Sequence, residues 1–177
     1  MPPNSLLDTV LGLCRLRNAP QDLPHAPRLA VLLLAVSILL DSAIGAALGD
    51  GGQAPLRSLL SSVVVLGLCA VALAIRRLGH RYVQTATALI ACSIAFSLLQ
   101  LPIALMAGPP PATAGELTGA QILLGWFTLG LFFWQIAINA HIVRHAMDSS
   151  FGFALGLVAT WVLAFWALDH LLFAVPK

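Results

Sequence analysis

The chain has 177 residues, of which 59% are hydrophobic and only 9% charged, with a net charge of +2. Soluble domains carry roughly 25% charged residues, so this composition excludes a water-soluble globule and fits a chain whose solvent is lipid. The charge is too small and too scattered for a nucleic-acid partner.

Residues 1–28 form an N-terminal segment distinct in character from the rest of the chain. Within 5–17, Leu6, Leu7, Val10, Leu11 and Cys14 recur at i, i+1, i+4, i+5 and i+8, with Asp8, Thr9, Gly12 and Arg15 on the opposite side. This pattern predicts an amphipathic helix too short to span, lying along the membrane surface. Ser5 or Asn4 can cap its start, and the proline-rich stretch 19–27 ends it. It is not read as a signal peptide. Asp8 interrupts the apolar region, no basic residue precedes it and no A-x-A site follows.

Residues 29–177 read as an all-α, polytopic transmembrane bundle with spans at 29–48, 59–75, 83–107, 120–143 and 151–175. At about 1.5 Å per residue each can cross a core about 30 Å thick, the second only barely. GDGGQAP at 49–55 and GPPPATAGE at 108–116 break the chain, and the other two connections are short and polar. Adjacent spans are therefore expected to be antiparallel, with no room left for a separate soluble domain. The alternation of a β-barrel is absent. Pro102 is expected to kink the third span and free a backbone carbonyl. The pairs Gly45/Gly49 and Gly152/Gly156 are read as ordinary close packing. Trp126, Trp134, Trp161 and Trp166 fall mid-span, to fill the bundle or face lipid.

Basic residues orient the bundle. Arg15, Arg17, Arg28, Arg76, Arg77, Arg81 and Arg144 fall on one side, and only Arg57 and Lys177 on the other. Seven against two is a positive-inside bias that predicts a cytoplasmic N-terminus and an outward C-terminus, as an odd number of spans requires. No internal repeat or pair of interrupted spans of the transporter kind is visible.

Carboxylates inside a span are costly unless neutral, paired or near the interface. Asp41 and Asp169 lie at similar depth, roughly 10 Å from the predicted outer ends of their spans. Gln100 falls at about the same level, His170 follows Asp169, and Arg57 begins the second span on that side. Asp41, Arg57, Gln100, Asp169 and His170 are thus a candidate intramembrane polar cluster in which Arg57 pairs with Asp41 or Asp169. Such a layer could bind an ion, a lipid headgroup or a proton. The plainer account, which is preferred, has these groups satisfy one another and hold the helices in register.

The second candidate cluster, His141, Arg144, His145 and Asp148, lies at the cytoplasmic end of the fourth span. At 100° per residue Trp134, Ile138, His141, His145 and Asp148 share one face, while Gln135 and Asn139 share another about 120° round. Two histidines at i, i+4 have metal-ligand spacing, but Ile142 stands where H-E-x-x-H requires glutamate. Only Asp148 or His80 could complete such a site, so no metal is assigned. Imidazoles meeting lipid phosphate, water or Asp148, with Arg144 anchoring the helix, is the plainer account. Cys14, Cys69 and Cys92 lack zinc or disulfide spacing. No catalytic or nucleotide-binding motif appears, and neither enzyme activity nor a cofactor is expected.

Three segments, PQDLP at 20–24, QTATAL at 84–89 leading to LLQLP at 98–102, and HIVRHAMD at 141–148, resemble the bacterial members of the Yip1-like group of five-span membrane proteins. The resemblance implies a compact bundle with a cytoplasmic N-terminus and a role in membrane organisation or protein interaction. It implies no catalytic residues. Eukaryotic members of the group are described as acting in vesicle traffic alongside small GTPases and as carrying a long cytoplasmic N-terminal region, so the GTPase role is not expected here.

The expectation is a non-enzymatic protein of a bacterial inner membrane that meets lipid and a membrane partner or a second copy of itself. The alternative is a small channel or carrier using Asp41, Gln100 and Asp169.

Overall fold

The structure, a computed structural model, describes residues 5–50, 52–111, 113 and 116–173. Asn4, Lys177 and the end of the last expected span lie outside the described residues. Among the described residues six helices run in order: α1 (Leu6–Cys14), α2 (Pro27–Ala47), α3 (Ala54–Ile75), α4 (Tyr82–Ala107), α5 (Gly119–Ala146) and α6 (Phe151–Phe173), with 3₁₀ turns at Pro20–Asp22 and Gly79–Arg81. The last five helices are each long and apolar enough to cross a membrane.

Local chemistry accounts for most boundaries. Ser5 caps α1 through a reciprocal pair of bonds with Asp8, at 3.2 and 3.3 Å. Thr118 and Gln121 repeat the device at the start of α5. α2 and α3 begin with proline in the first turn, where a missing N–H costs nothing. That is why α3 starts at Ala54, five residues before the sequence-based boundary, and carries Arg57 and Ser58 inside it. α4 runs through Pro102 to Ala107. Leu16, Arg77 and Asp148 all take left-handed backbone just after α1, α3 and α5. Each is the turn-out residue of a Schellman-type ending, as in the Arg17 N–H to Gly12 carbonyl bond of 2.8 Å.

The five long helices close a ring in the order α2, α3, α6, α5, α4 and back to α2. Their outward faces are apolar and bare; Ile75, Met106 and Leu171 are each more than three-quarters exposed. In water such a surface would aggregate. It fits lipid, and the chain is a multi-pass integral membrane protein. Trp161 is buried, whereas Trp126, Trp134 and Trp166 face outward. Gly45 permits close approach of α2 and α3, since a Cβ there would lie 2.5 Å from that of Ala54. A Cβ at Gly152 or Gly156 would meet nothing within 4 Å among the described residues, so their close-packing role does not arise there.

α1 is the short helix expected before the spans, and the structure adds its seat against protein. It packs on α4 and α5, and the Trp134 indole donates to the Cys14 carbonyl at 3.1 Å. Trp134 lies eleven residues before His145, about 16 Å along α5, so the end of α1 sits well inside the helical layer. Its buried residues are Thr9, Val10 and Leu13, while Leu7 and Leu11 of the expected stripe are exposed. The reason is physical. This helix has two apolar neighbours, protein on one side and lipid on the other, and sequence periodicity does not distinguish them.

Candidate functional site

Four helices each turn a polar i, i+4 pair toward the ring interior: Ser37 and Asp41 of α2, Ser58 and Ser62 of α3, Ser93 and Ser97 of α4, Gln135 and Asn139 of α5. Residues spaced by four stack on one helix face, and the ring order brings these faces together. Asp41 is the one carboxylate among them. Its Oδ1 accepts from Ser97 at 2.6 Å; its Oδ2 lies 3.3 Å from the Ser58 hydroxyl and 3.4 Å from that of Ser37. A cleft of about 90 Å³ opens beside it, lined by Ser62, Ser93, Gln135 and Asn139. A second cavity, of about 220 Å³, shares Ser61, Gln135 and Asn139 with the first and continues toward α6. There it meets Trp161, whose buried indole N–H has no hydrogen-bond partner among the described residues.

The expected polar layer divides. Arg57 pairs with Asp169, its Nε 3.1 Å from Oδ1 as a charge contact without an aligned hydrogen bond. Arg57 also pairs with Asp50 through Nη1, and its guanidinium lies 5.2 Å from the centre of the Phe173 ring. Of the two expected partners it therefore takes Asp169 and leaves Asp41 to the serines. Asp50, in the loop after α2, competes successfully because α3 starts early enough to place Arg57 beside it. Gln100 lines a separate, largely apolar cavity of about 390 Å³ with Ile44 and Gln121. His170 is exposed and lies against Trp166, ring centres 4.3 Å apart.

At the arginine-rich end, His141 and His145 do share a face, their rings edge-on at 4.6 Å. His141 Nε2 lies 2.9 Å from the Asn18 carbonyl, which requires Nε2 to carry the proton and donate. Asp148 receives Arg81 at 2.7 Å, and Arg81 also donates to the Ala146 carbonyl at 3.2 Å. Arg144 and His145 occupy the last turn of α5, where positive charge is favoured by the helix dipole. Gln84 donates to the carbonyls of Gln21 (3.2 Å) and Leu23 (2.7 Å), and Gln21 in turn donates to that of His145 at 2.8 Å. Segments 20–24, 84–89 and 141–148 therefore meet in one junction, with Leu23 nearly fully buried.

Sequence reasoning finds Asp41, Gln135 and Asn139 but leaves them apart, and passes over the serines. The signal is present as four i, i+4 polar pairs in otherwise apolar helices. What joins them is the order of helices round the ring. No family model matches the chain, and no curated protein or solved structure matches it either.

Proposed function

We propose that this is a non-enzymatic, Yip1-like protein of a bacterial inner membrane, with its arginine-rich end in the cytoplasm. It organises the membrane around it, alone or with a membrane partner or second copy. The observation that carries the reading is the seat of α1. Side chains of α4 and α5 hold the N-terminal segment by its backbone carbonyls, with Leu7 and Leu11 turned outward. A sixth, partly apolar helix is then held on one side of the bundle, against α4 and α5. Inserted amphipathic helices make membrane binding sensitive to curvature.

The test is partition of the reconstituted full-length protein between thin membrane tubes and flat bilayer. Enrichment on tubes, reduced in Gln84→Leu, is expected. Even distribution of the wild-type protein contradicts the reading.

A further inference from the structure

We propose that Asp41 and the hydroxyls around it form an intramembrane site that holds either a proton or a small monovalent cation of the sodium class, and exchanges one for the other. The inference does not rest on the membrane-organising reading.

The argument begins with hydrogens. The Ser97 hydroxyl lies 2.6 Å from Asp41 Oδ1 and 3.0 Å from the Ser93 carbonyl, and both are acceptors when Asp41 is ionised. A hydroxyl has one hydrogen to give. When Asp41 is protonated its O–H donates to Ser97 Oγ, and Ser97 donates to the Ser93 carbonyl; every group is satisfied. When Asp41 is ionised Ser97 turns to it, with Ser58 and Ser37 beside its other oxygen, and a negative charge without a counter-charge remains between membrane helices, which is costly.

Among the described residues no basic side chain relieves that charge. Arg57, the cation nearest in sequence on α3, is engaged by Asp50 and by Asp169 of α6. α4 and α5 offer the cleft only Ser93, Gln135 and Asn139 as polar groups. A cation in the cleft would supply the missing charge. Its donors would be the Asp41 carboxylate, the Ser37 and Ser62 hydroxyls and the amide oxygens of Gln135 and Asn139, all hard oxygens suited to a hard cation. One carboxylate neutralises one charge, and a divalent ion would leave an uncompensated charge in low dielectric. The cleft of about 90 Å³ is also large enough to hold water with the ion. The exchange balances: the carboxylic acid loses its proton to water as the cation enters, and nothing is oxidised or reduced.

The experiment titrates sodium chloride, against choline chloride at equal ionic strength, into the full-length protein in detergent from acidic to alkaline pH. Proton release and the thermal midpoint are both read. The wild-type protein is expected to release up to one proton per sodium ion bound and to gain thermal stability, with choline inert. Asp41→Asn should lose both responses while keeping its helix content by circular dichroism. Ser62→Ala, which retains the carboxylate and removes one of the named oxygen donors, covers the case in which the first variant does not fold. It should bind sodium about fivefold more weakly, the equivalent of one polar contact. Absence of sodium-specific proton release from the wild type across the pH range overturns the proposal. So does a sodium response in folded Asp41→Asn equal to that of the wild type, or an unchanged sodium affinity in Ser62→Ala.

Discussion

At the arginine-rich end of the bundle, Gln21, Gln84, His141 and Arg81 all donate to backbone carbonyls, as Trp134 does deeper in the helical layer. Around Asp41, at the level of α2 where the other end begins, the partners are hydroxyls of Ser37, Ser58 and Ser97 beside an open cleft. A carbonyl has a fixed place and can only accept, so the first region is a clamp with one arrangement. A hydroxyl can turn and change role, so the second has more than one. Two polar regions in one membrane bundle thus serve different ends: one sets geometry, the other leaves room for a change of state.

The clamp is where substitution should cost most. Gln84→Leu leaves the Gln21 and Leu23 carbonyls without their donor, and about 2–4 kcal/mol of stability should go with them. Thermal unfolding in detergent reads that loss, and limited trypsin digestion should cut at Arg15 or Arg17 in the variant first. An unchanged midpoint and an uncut N-terminal segment would mean that the clamp is ornamental. The α2–α3 contact one turn beyond Asp41, next to the seam formed by the four polar pairs, comes next. Gly45→Ala places a methyl against Ala54 and should cost about 1–3 kcal/mol through overpacking. Gly156→Ala, in open space, should be neutral or slightly stabilising by helix propensity. Equal effects at the two glycines would contradict the helix order.

Arg57→Gln removes the counter-charge of Asp50 and Asp169, both part-exposed, and should cost about 1–2 kcal/mol. It should leave any sodium response at Asp41 intact, which separates the ion pair from the seam. The smallest effect is expected at Leu16, whose left-handed backbone suits glycine better. Leu16→Gly should raise stability by up to about 1 kcal/mol. A clear fall would show that the Leu16 side chain matters more than its backbone.

The long apolar runs make the five membrane helices legible in the sequence, because burial in lipid demands length and hydropathy together. Boundaries are less so. α3 begins at Ala54 because proline is welcome in a first turn, which a search for unbroken apolar residues overlooks. α1 is legible as a helix, but its protein-facing side, through Thr9, Val10 and Leu13, is not. Asp169 is one of the two partners the sequence offers Arg57, but Asp50, which also pairs with it, is hidden in a glycine-rich loop. The seam is written in four spaced pairs and cannot be assembled from them, because a linear pattern says which residues share a helix face and not which helices are neighbours. The clamp is invisible for a related reason: its acceptors are carbonyls, which every residue possesses.

The central claim is that lipid is the solvent of this fold and that an odd number of helices crosses it. Fusing a topology reporter to each terminus of the full-length chain tests this most directly. The account predicts the N-terminal fusion on the cytoplasmic side and the C-terminal fusion on the opposite side. Both reporters on the same side would contradict it.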